Sequence, residues 1–265
     1  IGITNFGVPP GTDASRATFA ITGRIAYARS FPIRQRRYPA MTDSSTRAQA
    51  FRAKWHEYYS EKRITHQWLQ VDLLKSLPVH SVLEIGPYLG LVSAMAASAG
   101  YAVTTLDIEA QSQGIGSKRH IQADIRNVAA EKIQDFDAII CCETLEHIDW
   151  HKLDSVLRNI AAAGAPWLIV SVPYEGFQFA FELYFNRWRW RRRSHFRKLR
   201  FLKRLRIAGG TEWEPHKWEI GYRGHSLRAF MHKLEDTGFE IKQREFPSGC
   251  RSVFFVCRNK SAVQP

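Results

Sequence analysis

Three acids sit where apolar runs end, and in a wound α/β sheet those are the positions that face a ligand. Glu84 belongs to Val82-Leu83-Glu84-Ile85, directly before Gly86-Pro87-Tyr88-Leu89-Gly90. Asp107 closes Thr104-Thr105-Leu106 and precedes Ile108, twenty-one residues beyond Gly86. Asp124 follows Ile121-Gln122-Ala123 and precedes Ile125. Gly86 permits a tight turn, and Gly90 lets a following helix pack near the sheet. A dinucleotide fingerprint needs a further glycine at position 88, where backbone approaches a pyrophosphate. Tyr88 stands there instead. Glu84 would also repel a diphosphate and attract an ammonium group. The turn therefore suits a ligand with an amino-acid portion better than a dinucleotide. Asp107 can accept hydrogen bonds from both hydroxyls of a ribose. Asp124 can accept one from the amine of adenine, with Ile125 against the ring.

A fourth stretch runs from Phe136-Asp137-Ala138-Ile139-Ile140-Cys141-Cys142 into Glu143-Thr144-Leu145-Glu146-His147-Ile148. Four such motifs in this order resemble the class I S-adenosylmethionine-dependent methyltransferases. The Glu-x-Leu-Glu-His ending is similar to their type 11/23-like branch. The resemblance covers about residues 66–257. It implies that S-adenosylmethionine is the cofactor, with Glu84, Gly86 and Gly90 around its methionine portion, Asp107 at the ribose, Asp124 at the adenine and Glu143 near the methionine and sulfonium end. Tyr88, Ile108 and Ile125 are expected among the cofactor-binding residues as well. Tyr88 departs from the pattern, since many members carry glycine there.

The elements that must position these residues follow from the apolar rhythm. Runs at 81–85, 102–106, 138–142 and 167–172 read as buried parallel strands, and a short one at 121–125 ends in Asp124. Segments at 47–59, 91–99, 128–133, 152–162 and 226–237 have helical composition, the second and last closing at Gly100 and Gly238. Runs at 240–246 and 252–257, joined by Pro-Ser-Gly-Cys-Arg, form an antiparallel hairpin. The expected fold is a doubly wound, three-layer α/β/α domain. Its sheet is seven-stranded and mostly parallel, with a C-terminal antiparallel hairpin. Met41-Thr-Asp-Ser-Ser is a helix-start cluster, so the domain is expected over 41–262, preceded by a disordered leader at 1–40. A basic, aromatic insert is expected at about 174–224.

Methyl transfer to a hydroxyl needs a base near the acceptor. Glu146 and His147 after the fourth strand are candidates, as is His216 in Glu214-Pro215-His216-Lys217-Trp218-Glu219. His147 can equally cap a helix. Trp218 can either cover the acceptor or plug the core, and a His-x-Trp sequence is frequent in the branch that the chain resembles.

The formal charge of +13 invites a nucleic-acid reading. However, eleven Lys and Arg residues fall between Arg187 and Arg206, where no acid occurs, which leaves +2 for the rest. Trp188, Trp190, Arg191, Arg192 and Arg193 open this segment, and from Phe196 the apolar residues recur at helical spacing. A basic amphipathic helix beside tryptophans, behind the aromatic run 177–185, reads as an element for an anionic membrane surface. The rivals are RNA or DNA phosphates, ranked below it, and a solvated lid.

The expected activity is methylation of a small-molecule, glycan or lipid-linked acceptor, at oxygen. The alternatives are an RNA methyltransferase and a non-catalytic S-adenosylmethionine-binding protein. With 45% hydrophobic and 24% charged residues the composition is globular. No apolar run is long enough to span a bilayer, and a cytoplasmic chain, peripheral at most to the inner membrane surface, is expected. Cys141, Cys142, Cys250 and Cys257 have neither disulfide nor zinc spacing, so no metal is expected.

Overall fold

A computed structural model describes residues 43–110, 116–187, 189–197, 215–248 and 250–262. The chain divides into two compact units, residues 1–46 and 47–265. The second holds the sheet and the site. The expected leader and Trp188 lie outside the described residues, as does the basic stretch 198–206.

The strands are β1 (Ser81–Ile85), β2 (Ala102–Asp107), β3 (Arg119–Gln122), β4 (Ala138–Cys142), β5 (Trp167–Pro173), β6 (Gln178–Asn186), β7 (Arg189–Arg197), β8 (Phe239–Glu245) and β9 (Ser252–Asn259). Seven of them form one sheet in the order β3-β2-β1-β4-β5-β9-β8. Strands β1 to β5 are parallel, and β9 runs antiparallel to both β5 and β8. The order reverses between β1 and β4, which puts a crevice at the carboxyl ends of those two strands.

Alternation along the strands divides the core into two layers. Leu83, Ile85, Ile139, Cys141, Leu168 and Val170 face one side. Val82, Ala138, Ile140, Cys142 and Ile169 face the other. The helices are α1 (Asp43–Tyr58), α2 (Glu61–Asp72), α3 (Leu91–Ser98), α4 (Leu153–Ala162) and α5 (Leu227–Asp236). Helix α4 buries Leu153, Val156, Leu157, Ile160 and Ala161, the spacing of a single apolar stripe. Ser226 opens α5 by accepting a 3.1 Å hydrogen bond from the Ala229 amide, and Phe230 and Leu234 enter the first layer. Helices α2 and α3 cover the second layer through Val71, Val92 and Ala96.

Several expectations are corrected. The helix at 128–133 is only a short 3-10 turn, Ala130–Lys132. Strand β3 ends at Gln122, so Asp124 and Ile125 lie in the turn beyond it. Phe196 does not open a helix. It pairs with Phe179 in the separate hairpin of β6 and β7. That ladder joins all nine residues of each strand, and the rest of the expected basic helix, 198–206, lies outside the described residues. Helix α2 is an addition, opened by Ser60, whose side chain accepts from the Arg63 amide at 3.3 Å.

Candidate active site

The loop from β1 into α3 makes three left-handed turns of backbone, at Gly86 (φ 72°), Tyr88 (φ 50°) and Gly90 (φ 76°). A Cβ on Gly86 would lie 2.6 Å from Thr144 Oγ1, so a side chain is excluded there on two grounds. Tyr88 adopts the conformation that glycine would take freely, at a cost on the order of 1–3 kcal/mol. Its ring packs 4.5 Å from that of Tyr58, and Lys54 Nζ sits 4.7 Å from its centroid. The departure from the family pattern therefore keeps the path of the loop and adds a contact with α1.

Glu84 is buried beneath this loop and accepts a hydrogen bond from Ser93 Oγ on α3. Burial pushes its carboxyl up to about 7, and Asp107 pushes in the same direction. Asp107 ends β2, where its carboxylate accepts from the Glu109 amide at 3.1 Å, and the neighbouring Ile108 is exposed. A buried acid below a glycine turn and a second acid at the next strand end fit the ammonium and ribose of S-adenosylmethionine. The third position fits less well. Asp124 is gripped by Arg126, with Nε 3.0 Å from Oδ1 and Nη2 2.6 Å from Oδ2. Burial raises its carboxyl, but these hydrogen bonds prevail and hold it below the ordinary range. Ile125 is a core residue, packed with Ile121 and Val128.

At the end of β4, Glu143 also takes a left-handed backbone (φ 51°). Its Oε1 accepts from Ser171 Oγ at 3.1 Å and lies 3.5 Å from His66 Nε2 on α2. Burial pushes the Glu143 carboxyl up, yet His66, Ser252 and Ser171 together bring it below its ordinary value.

One turn further on, Glu146 is fully buried, and neither of its carboxylate oxygens has a hydrogen-bond partner among the described residues. Burial, with Glu143 and Glu219 nearby, drives its carboxyl well above the usual range. The segment after the insert is zipped against this turn. The Lys217 amide donates to Glu146 O at 2.8 Å, and Trp218 Nε1 donates to Ile148 O at 2.9 Å. These bonds bring His216 Nε2 to 3.9 Å from Glu146 Oε1 and its ring to 4.9 Å from that of His147. His216 Nδ1 meets Glu219 Oε1 at 2.8 Å, and Arg251 Nη2 donates to the same oxygen at 2.6 Å. Burial first, and then His216, lowers His147 to about 4, so it is neutral at pH 7.

The structure thus gathers Glu146, His147 and His216 in one cluster, beside Glu143. Trp218 is not part of it: only 1% exposed, it packs on Trp150 and Phe230 and serves the core. Trp190 is exposed on β7, with its backbone opposite Phe185, and Arg191, Arg192 and Arg193 continue that strand. Sequence reasoning missed His66, Ser171, Glu219 and Arg251. The Ser60-Glu61 helix start could have led to His66, but nothing local marks the pairing of Arg251 with Glu219.

Comparison with known proteins agrees with the fold. The methyltransferase domain family matches residues 55–209, more than half of the chain. The ubiquinone biosynthesis O-methyltransferase of Bordetella avium is 29% identical over 140 residues, covering 46% of this chain and 57% of that protein. Its counterpart in Bordetella parapertussis is 31% identical with the same coverage. The match spans little more than half the length of these relatives.

Among solved structures, magnesium protoporphyrin IX methyltransferase from Synechocystis with bound S-adenosylmethionine superposes with a TM-score of 0.50. It is 16% identical, covering 84% of this chain and all of that one. The methyltransferase domain of bacterial-CtHen1-C gives 0.51 at 13% identity, covering 76% of this chain and 100% of that domain. At such identities the likeness is one of fold.

The fold and the family match place the chain among the class I S-adenosylmethionine-dependent methyltransferases. Within that class the chain belongs to the methyltransferase domain family matched over residues 55–209.

Proposed function

We propose that the enzyme methylates an oxygen of a small-molecule, glycan or lipid-linked acceptor. Glu84, Gly86, Tyr88, Gly90 and Glu143 would hold the methionine portion of the cofactor, with Asp107 and Ile108 at its ribose. Asp124 would reach the adenine only by sharing its carboxylate with Arg126. Bound S-adenosylmethionine supplies an electrophilic methyl group. The chain's own task is then to align the acceptor and to deal with its proton.

One observation carries the oxygen reading: His147, neutral at pH 7, and His216 stand beside the buried Glu146 at the end of β4, and Glu146 has no hydrogen-bond partner among the described residues. A hydroxyl must lose a proton as it reacts, and this cluster offers acceptors on the expected acceptor side. Glu219 Oε1, 2.8 Å from His216 Nδ1, orients the ring so that Nε2 faces Glu146. The names of the Bordetella relatives favour an oxygen target and a lipid-linked acceptor.

The hairpin of β6 and β7 supports contact with a lipid surface. Phe179, Phe181, Leu183 and Phe185 alternate along one face of β6 and are 57–78% exposed, with Trp190 70% exposed opposite Phe185. Among the described residues no helix is long and apolar enough to cross a membrane. Peripheral contact through this face suits a cytoplasmic enzyme whose acceptor carries a lipid tail.

The test measures methyl transfer to short-chain and polyprenylated phenols, alongside calorimetric titration with S-adenosylhomocysteine. We expect turnover on at least one hydroxyl acceptor. His216→Ala should reduce it by about 10²–10⁴-fold, the scale of a lost acid–base group, with cofactor affinity within about twofold. Transfer to amine acceptors alone, or unchanged turnover in the variant, would sink the oxygen reading.

A further inference from the structure

We infer that Glu146, His147 and His216 bind a divalent transition-metal cation of the zinc type. The three offer one ligand atom each, all within 4.8 Å of one another. Ligands of a tetrahedral zinc stand at about 2.0–2.2 Å from the ion, hence about 3.3–3.5 Å apart, so only a modest side-chain contraction closes the site.

Three features set the cluster apart from an ordinary surface group of acids. First, Glu146 is fully buried, and among the described residues neither of its oxygens has a hydrogen-bond partner, nor does the buried His147 Nδ1. Buried polar atoms are rarely left so, because each lost partner costs about 1–3 kcal/mol. A cation satisfies them together. Second, His216 has the orientation of a metal ligand. Its Nδ1 is held at 2.8 Å by Glu219 Oε1, which leaves Nε2 aimed at Glu146, and Arg251 holds Glu219 in turn through bonds of 2.6 Å to it and 2.8 Å to Glu175. An outer carboxylate on the far nitrogen is the usual support of a ligating histidine. Third, the carboxylates of Glu143 and Glu219 both face Glu146, with Arg251 as the opposing charge.

Two imidazoles and one carboxylate favour zinc, cobalt or manganese over magnesium or calcium, which prefer all-oxygen shells. Three protein ligands leave a fourth position open, as at catalytic rather than structural zinc. A role for that position in binding the acceptor oxygen rests on the function proposed above; the binding of the ion does not. The spacing of the cysteines points away from metal, and this set arises only when residue 216 is folded against residues 146 and 147.

The test uses the full chain after chelator treatment. Zinc is followed by equilibrium dialysis and cobalt by its visible absorption, with magnesium as a control. About one zinc ion per chain is expected, together with a tetrahedral-type cobalt spectrum. Glu146→Gln and His216→Ala should each weaken binding at least tenfold, and Glu219→Gln by about 10–100-fold. Titration of each variant with S-adenosylhomocysteine shows whether it is folded. If Glu146→Gln loses that affinity, His216→Ala carries the test. Absent zinc binding, equal affinity in the variants, or a preference for magnesium would overturn the assignment. Intact S-adenosylhomocysteine binding in that event would leave the methyltransferase reading standing. Metal binding without it would do the reverse.

Discussion

At the scale of single residues, the site stores acids in places that water would not reach, and Glu84 shows the consequence. An unfolded glutamate ionises near its ordinary value, whereas burial holds Glu84 up to about 7. Between those two values the folded chain keeps a proton that the unfolded chain has released. Stability therefore falls as pH rises through this window, and above 7 the loss amounts to about 3 kcal/mol. An ammonium group seated against Glu84 reverses the effect by favouring the charged carboxylate. We expect the urea midpoint of the ligand-free protein to drop from pH 5 to pH 8. Glu84→Gln should reduce that drop, leaving the share that belongs to Glu146, and saturating S-adenosylhomocysteine should reduce it too. A midpoint that stays flat with pH in the wild type would show that Glu84 is ionised throughout. Glu146 is raised for the same first reason, and there the divalent cation inferred above, rather than an ammonium group, would favour the charged form.

At the scale of elements, what the sequence shows depends on whether an element is defined locally. Strands β1, β2, β4 and β5 were legible because a strand buried on both faces is a continuous apolar run, and α4 and α5 because their stripes and caps are local. Glu84, Gly86, Asp107 and Glu143 were legible for a related reason, since each ends or follows such a strand. The 3-10 turn at 130–132 was not, because its six-residue window has helical composition but the chain does not sustain a helix there. Trp218 reads in sequence as either a cover for the acceptor or a plug of the core, and the Ile148 carbonyl, seventy residues away, decides for the core. The largest departure is β7, whose partner lies across a hairpin rather than along a helix. On the function proposed above, the apolar face of β6 would meet the lipid surface. A ribbon of two strands with four large apolar residues exposed on one face of β6 is costly in water, at about 25 cal/mol per Å² of apolar surface. We expect the protein to sediment with vesicles containing anionic lipid. Phe181→Asp combined with Phe185→Asp should reduce the bound fraction at least tenfold while leaving S-adenosylhomocysteine affinity unchanged. Binding to anionic vesicles that survives this double substitution would place the contact elsewhere.

At the scale of the whole molecule, the question is how much chain the enzyme needs. The unit spanning residues 47–265 holds the buried apolar side chains from Tyr59 to Cys257. Both core layers and every residue assigned to the cofactor and the acceptor lie there too, from Tyr58 on α1 to Arg251 before β9. Residues 41–262 should therefore suffice as the methyltransferase domain, with helix α1 kept whole because Tyr58 and Lys54 pack on Tyr88. A chain beginning at Met41 is expected to unfold in a single transition. At this size about 1 kcal/mol corresponds to roughly 2–4 °C, and the thermal midpoint should stay within that margin of the full chain. Ligand linkage provides a second reading on the same sample. S-adenosylhomocysteine at about a hundred times its Kd should stabilise both chains by about 2.7 kcal/mol, because the site is complete in each. A midpoint lowered by more than that margin would assign residues 1–40 to the packed structure. Equal midpoints with a smaller ligand-induced rise in the shorter chain would assign them to the cofactor site instead.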